Sequence, residues 1–137
     1  PGRFKYHPSK PVTLAMTAEG LLMRQYLGAK RSDTDLTAGA DYLKGRLPRE
    51  AEQDAYYWYY ATQVMFHMQG EHWAEWNASL RDMLIRMQSK EVATEGSWDP
   101  DNAKWGKAGG RHYTTCLSLL MLEVYYRHLP LYIELKD

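Results

Sequence analysis

The sequence feature that most constrains the fold is a run of five consecutive aromatic residues, "YYWYY", from Tyr56 to Tyr60. In a helix, consecutive residues point in all directions, so this run places rings around the whole circumference. Such a helix is buried on all sides. The chain has 11 Tyr but only 2 Phe. Because a buried tyrosine hydroxyl needs a hydrogen-bond partner, we expect partly polar surroundings for this helix.

The remaining apolar residues also follow helical spacing, and we see no alternating run between turn residues that would predict a strand. Asp33 or Asp35 opens the second predicted helix, Asp54 opens the third, and Asn77 is the expected N-cap of the fourth. The segment 71–76 before Asn77 is expected to form a separate helical turn. The predicted helices cover residues 13–27, 33–47, 54–70, 77–88 and 113–129.

The predicted helices differ in how far around their circumference they are apolar. The third and fifth are apolar all round, so segments 54–68 and 113–127 are expected to be buried, with Leu119 and Leu120 inside. The fourth carries a single apolar stripe, the second is mostly polar, and the first is nearer the buried type. The order is therefore inner, outer, inner, outer, inner. Such helical pairs bury their apolar faces by stacking on neighbouring pairs.

Length and charge limit the function classes. A chain of 137 residues fits a single domain over residues 1–137. Its 17 basic and 17 acidic residues cancel, so no overall field attracts nucleic acid or an anionic membrane. Cys116 is the only cysteine, which excludes an intramolecular disulfide. No apolar run approaches the ~20 residues of a membrane span.

The opening residues carry no targeting signal. The stretch "PGRFKYHPSKP" has no apolar core like that of a signal peptide, and it begins without Met. We interpret the chain as part of a longer protein, which leaves its localisation open.

The stretch "LIRMQSKEVATEGSWDP", residues 84–100, contains a more specific pattern. Gln88 is followed by a loop and then by Gly96 and Trp98. This motif, at residues 84–98, resembles the QW repeat of the squalene and terpenoid cyclases. A Gln at a helix end can bond free backbone groups of the following loop, and the Trp can cover that contact. The stretch from Gln88 to Gly96 is longer than the usual spacing in that family.

Two other stretches, "DAYYWYYATQ" and "GGRHYTTCLSLLMLE", resemble inner helices of the prenyltransferase and squalene-cyclase repeat. The whole resembles the C-terminal part of large bacterial proteins that carry such repeats. The resemblance covers residues 13–132 and implies an all-α fold, an α/α toroid-like arc of alternating inner and outer helices. An arc leaves inner surface uncovered, so the rest of the same chain or self-association is the expected partner.

The catalytic motifs of that superfamily are incomplete here. Cyclases use D-x-D-D, but "SDTDLT" supplies only Asp33 and Asp35, followed by Leu36. We interpret these acids as a helix cap with acidic first-turn residues.

The zinc motif of prenyltransferase β-subunits is also incomplete. Asp54 and His112 match its first and last ligands, but Tyr56 stands where the family has Cys. Cys116 follows His112 by one helical turn, so Asp54, His112 and Cys116 remain an alternative ligand set. We interpret Asp54 as a cap and Cys116 as a core residue, and expect no zinc and no other cofactor.

Two functions therefore compete. The first is a non-catalytic α/α repeat domain that binds a protein, a peptide or an apolar ligand. The second is a segment of an isoprenoid cyclase or prenyltransferase-like enzyme whose catalytic motif lies elsewhere in a longer chain, because aromatic faces stabilise carbocations. The candidate inner-surface residues are Tyr56, Tyr57, Tyr60 and Tyr113, and the candidate structural residues are Gln88, Gly96 and Trp98.

Overall fold

The computed structural model describes residues 1–132 and is all-α, as the sequence predicts. Its α-helices are α1 Leu14–Tyr26, α2 Thr34–Lys44, α3 Ala55–Met68, α4 Gly70–Met87, α5 Gly106–Leu122 and α6 Val124–Arg127, with a 3₁₀ turn at Glu50–Glu52. Within these residues, extended pairing is limited to one isolated bridge between Lys5 and Val12. None of the described helices is long and apolar enough to cross a membrane.

The first three helices begin where capping residues predict. The Thr13 hydroxyl accepts from the Met16 backbone N–H at 3.2 Å. Asp33 Oδ1 accepts from the Leu36 N–H at 2.9 Å, and Asp54 Oδ1 accepts from the Tyr57 N–H at 3.1 Å. Each contact satisfies a backbone donor that the first turn leaves free. The capping interpretations of Asp33 and Asp54 are therefore confirmed, and Thr13 caps the first helix in the same way.

Helix α3 is the centre of the molecule. It packs between α1 and α5, so these three helices form a first row, while α2 and α4 contact each other in a second row behind it. The residues from Ala61 to Met68 are all buried. The prediction of a largely buried helix over residues 54–68 is confirmed, because neighbours pack on both sides of α3 and behind it, but Tyr56, Tyr59 and Tyr60 of the aromatic run are only half-buried.

Polar groups inside this core have the partners that the tyrosine-rich sequence led us to expect. The Tyr57 hydroxyl donates to the Arg46 carbonyl at 3.1 Å. The Thr62 hydroxyl donates to the Trp58 carbonyl at 2.6 Å and accepts from Trp76 Nε1 at 3.0 Å. These bonds tie α3 to the end of α2 and to α4, and they offset the cost of burying hydroxyl groups.

Helix α4 corrects one prediction. Asn77 is not an N-cap, and the segment before it is not a separate turn, because one helix runs from Gly70 to Met87. The chain turns at Gln69 and Gly70, which both have positive φ. The buried Leu80, Met83 and Leu84 still form the predicted single stripe.

Helix α5 corrects another prediction. It includes a short segment from Gly106 and a kink at Gly110, whose φ of 70° and ψ of −176° are not helical, so the continuous helix begins after Gly110, close to the expected start at residue 113. Leu119 is 41% exposed and residues 125–127 are also exposed, so the prediction that residues 113–127 are largely buried is wrong. The buried residues Thr114, Ser118 and Met121 form one stripe toward the rest of the molecule. The physical reason is that α5 stands at the end of the first row and has neighbours on one side.

The residues before α1 form an N-terminal strap, residues 1–12, that lies across α1 and α2. The Phe4 N–H donates to the Thr17 hydroxyl on α1 at 3.1 Å. The Phe4 ring packs directly over Gly20, and the Gly2 backbone packs against Gly39 on α2. A side chain at either helical glycine would overlap the strap, so the close fit depends on their missing Cβ atoms.

Candidate binding groove

A concave groove lies between α3 and the beginning of α5, with a volume of about 510 Å³. Its walls are aromatic: Tyr56 comes from α3, Tyr113 from α5, and Trp105 from the residue that precedes α5. Ala108 and Gly109 form the rest of the lining. We call this set the aromatic groove. Few polar atoms and large flat rings suit an apolar ligand.

Trp105 has an unusual backbone conformation for a large residue. Its φ of 65° and ψ of −4° lie in the left-handed region, which costs a non-glycine residue ~1–2 kcal/mol. The Lys104 N–H donates to the Gln53 carbonyl at 2.7 Å, and the Ala108 and Gly109 N–H groups donate to the Trp105 carbonyl. These bonds hold the strained residue in place, although its side chain is 60% exposed.

The other tyrosines of the aromatic run extend this surface along α3. Tyr60 makes edge-to-face contacts with both Tyr56 and Tyr59, each with ring centroids 5.1 Å apart. Burial raises the pKa of the Tyr113 phenol, and the nearby Asp54 carboxylate and Tyr60 raise it further. The Tyr113 phenol therefore stays neutral at ordinary pH and can act as a hydrogen-bond donor.

A second, larger cleft of about 860 Å³ adjoins the groove, and Trp105 and Ala108 line both. Unlike the aromatic groove, this cleft is rich in charged side chains of both signs. Its charged lining residues are Arg46, Arg49, Glu52, Asp54, Asp101, Lys104 and Lys107. Trp105 thus stands between an aromatic surface and a charged one.

The four predicted inner-surface tyrosines separate into two groups. Tyr56 and Tyr113 line the groove, and Tyr60 packs against Tyr56. Tyr57 is a correction: it is 3% exposed and belongs to the core, with its hydroxyl bonded to carbonyls at the end of α2. The sequence analysis missed Trp105. Its isolated position in the polar stretch "NAKWGK" was a usable signal, because no apolar periodicity there explains a tryptophan.

The structure brings together part of the alternative zinc set. Cys116 Sγ lies 3.6 Å from His112 Nε2 on adjacent turns of α5. Asp54 uses one carboxylate oxygen as a helix cap and pairs through the other with Lys104 Nζ at 2.8 Å. Within residues 1–132, no three His, Cys, Asp or Glu side chains are grouped so as to hold a metal ion.

The acidic pair Asp33 and Asp35 is held by Arg24 of α1. Arg24 Nη2 lies 3.1 Å from Asp33 Oδ2, and Nη1 lies 3.5 Å from Asp35 Oδ2. These contacts join α1 to the start of α2. Both acids are therefore engaged in ion pairs, in addition to the capping role of Asp33.

Gln88 and Trp98 connect α4 to the loop that follows it. Gln88 Nε2 donates to the Gly96 carbonyl at 2.9 Å, and Trp98 Nε1 donates to the Leu84 carbonyl at 2.9 Å. The Trp98 carbonyl in turn accepts from the Thr114 hydroxyl at 3.0 Å. Trp98 is 2% exposed. It therefore joins the last turn of α4 to α5, and the loop between them places Trp105 at the groove.

No protein-family model, curated protein or solved structure matches this chain.

Proposed function

We propose that this chain is an α/α repeat domain that binds an apolar ligand, either a small molecule or an apolar segment of a protein or peptide, in the aromatic groove. The observation that carries the proposal is Trp105. A large apolar side chain is kept exposed beside Tyr56 and Tyr113 at a backbone conformation that costs stability. Strained residues of this kind concentrate at functional sites, where the surrounding structure maintains them.

The repeat assignment has its own support. The order of contacts places α1, α3 and α5 in one row and α2 and α4 in the other, which is what alternating inner and outer helices require. The Gln88 bond to the Gly96 carbonyl is the helix-to-loop contact that the QW-type resemblance implies.

The acids that isoprenoid chemistry would use are occupied by structural contacts. Asp33 caps α2 and pairs with Arg24, and Asp54 caps α3 and pairs with Lys104. The oxygens of both carboxylates are therefore already committed to contacts within the fold. A binding role therefore fits the groove better than proton-initiated cyclisation by these residues.

The test uses N-phenyl-1-naphthylamine, a neutral apolar dye whose fluorescence rises in an apolar site. We expect enhancement with the wild-type chain and its loss in Trp105→Ala and in Tyr113→Ala. Tyr126→Ala is the matched control, because Tyr126 is 92% exposed on α6 and does not line the groove. Equal enhancement in all four proteins would show that the dye binds elsewhere and that the proposal is wrong.

A further inference from the structure

A carboxylate behind one wall of the aromatic groove carries this inference. Glu19 of α1 is a neighbour of Tyr56, and Tyr56 also lines the groove. Glu19 is half-buried as a residue, but its Oε1 atom is inaccessible to solvent and makes no hydrogen bond of ordinary length among the described residues; the Tyr56 hydroxyl is close enough to interact with the carboxylate. Within residues 1–132 Glu19 also forms no ion pair at 4.0 Å or less. A buried carboxylate oxygen without a partner is costly, and a nearby positive charge would offset that cost.

Glu19 is a negative charge beside Tyr56 on the aromatic side of the groove. Asp54 lies near Tyr113, but Lys104 neutralises it at 2.8 Å. Lys107 lines the charged cleft and not the groove. Burial, the Tyr60 hydroxyl and the Glu19 carboxylate all raise the pKa of the Tyr56 phenol, which is the response expected beside a negative charge.

The rings themselves favour a positive ligand. The face of an aromatic ring carries partial negative charge, and indole attracts a cation most strongly. The groove offers an exposed indole and two phenol rings, and Ala108 and Gly109 add no cation to its lining. A metal ion would need several anionic or strongly donating ligands, whereas the side chains of this lining supply only two phenol oxygens, and both phenols have raised pKa values that keep them neutral. A methylated ammonium group is weakly hydrated and presents apolar methyl groups to the rings.

We propose that the aromatic groove binds a methylated ammonium cation, with Trp105, Tyr56 and Tyr113 contacting the methyl groups and Glu19 supplying the compensating charge through Tyr56. This inference rests on the proposed function, because it specifies the charge of the ligand that the groove takes. Glu19 is a positioning and charge-compensating residue and does not line the groove.

The experiment compares tetramethylammonium with tert-butanol, a neutral molecule of similar shape, at constant ionic strength. Binding is followed by the indole N–H resonance of Trp105, which is assigned by its loss in Trp105→Phe. We expect tetramethylammonium to bind about tenfold more tightly than tert-butanol. Glu19→Gln should remove most of that difference and leave tert-butanol binding unchanged. Glu91→Gln removes a charge from an exposed loop outside the groove and is expected to leave both affinities unchanged.

The outcomes separate the two proposals. Equal affinity for the two probes, with no effect of Glu19→Gln, would overturn the cation proposal and leave the apolar groove intact. No movement of the Trp105 resonance with either probe would overturn both. If the cation is preferred, choline and a short trimethyllysine peptide, each compared with its unmethylated form, distinguish a free small molecule from a methylated protein segment as the source of the group.

Discussion

Trp98 and Trp105 lie in the same connection between α4 and α5, yet Trp98 is 2% exposed and Trp105 is 60% exposed. Trp98 donates its indole N–H to the Leu84 carbonyl at 2.9 Å, and its backbone bonds to Thr114 and Thr115 of α5. Within residues 1–132 Trp105 forms no side-chain hydrogen bond, and it lines the groove and the charged cleft. Trp98 therefore contributes to folding, whereas Trp105 would contribute to binding under the proposed function.

Trp98→Ala should lower the free energy of unfolding by about 3–5 kcal/mol, since it removes a buried ring and leaves a cavity. Trp98→Phe keeps most of the packing but removes the indole N–H bond to the Leu84 carbonyl. That carbonyl still accepts from the Gln88 N–H at 3.1 Å, so the expected cost is only about 1 kcal/mol. Urea denaturation measures both. Trp105→Ala is the control, because it removes a tryptophan that is exposed. If Trp98→Ala leaves the melting temperature unchanged, the buried Trp98 ring contributes nothing to stability.

For substitutions at Trp105 we expect the glycine variant to be more stable than the alanine variant, which reverses the order usually found. Glycine normally costs ~0.5–1 kcal/mol relative to alanine in folded segments, because its unfolded chain is more flexible. At a left-handed position alanine carries the steric penalty and glycine does not. Trp105→Gly should therefore be about 1 kcal/mol more stable than Trp105→Ala, as measured by denaturant midpoints. If alanine is the more stable variant, the residue does not hold a left-handed conformation in solution.

At the scale of the elements, the length of α4 decides whether Asn77 is an N-cap or an interior residue of a helix. Removing an N-cap asparagine costs ~1 kcal/mol, whereas replacing an interior asparagine by alanine gains helix propensity. Because Asn77 lies inside a continuous helix, Asn77→Ala should raise stability by about 0.5 kcal/mol. Thermal unfolding with Asp33→Ala, which removes a real cap, provides the matched comparison. If Asn77→Ala instead lowers the free energy of unfolding by ~1 kcal/mol, Asn77 acts as an N-cap and the helix begins there, as the sequence predicts.

The helices that sequence predicts well are those whose signals are local. Asp33 and Asp54 each accept from a backbone N–H three residues further along the chain. The aromatic residues of α3 lie on a helix that packs against neighbouring helices within the described residues. For α5, apolar residues around the whole circumference do not correctly predict burial, because burial depends on how many neighbours a helix has and not on its own composition. Leu119 is apolar and still 41% exposed.

The groove could be predicted only in part. Tyr56 and Tyr113 were found as aromatic residues on helices of the first row. Trp105 depends on a loop conformation fixed by bonds such as that from the Lys104 N–H to the Gln53 carbonyl, between residues distant in sequence. The role of Glu19 likewise needs the packing of α1 against α3, which periodicity does not specify.

At the scale of the whole molecule, His67 connects the core to the residues after α6. It is 1% exposed at the end of α3, beside the rings of Tyr26, Phe66 and His128. Its Nδ1 accepts from the Leu131 N–H at 3.4 Å. Burial, together with the smaller effect of the charge of His128, lowers the pKa of His67 to about 4.

This low pKa predicts acid sensitivity. The unfolded chain titrates near the ordinary value of 6.5, so below that pH the unfolded state binds a proton that the folded state does not. Stability is therefore full above pH 6.5 and is lost as pH falls toward 4, by about 2–3 kcal/mol. Denaturation at pH 7.5, 6 and 5 measures the loss, and ~pH 5 is still high enough to avoid most carboxyl titration.

His67→Phe should reduce the slope of stability against pH in this range, because phenylalanine has no proton to gain. His7→Gln is the control, since His7 is exposed in the N-terminal strap. If the slope is the same in the wild type and in His67→Phe, another group accounts for the acid sensitivity.

The N-terminal strap restricts which sequences this architecture can accept. Glycines inside helices are ordinarily places where alanine is tolerated or improves stability. At Gly20 and Gly39 the strap occupies the space that a Cβ would need, and the obstructing atoms at Gly39 include the Gly2 backbone, which no side-chain change can move aside. Gly45, where a Cβ would meet only ordinary contacts, carries no such restriction. In a library that replaces every glycine by alanine, the surviving folded variants should retain Gly20 and Gly39 and vary at Gly45. Gly2 and Phe4 of the strap thereby determine which side chains two helices can carry.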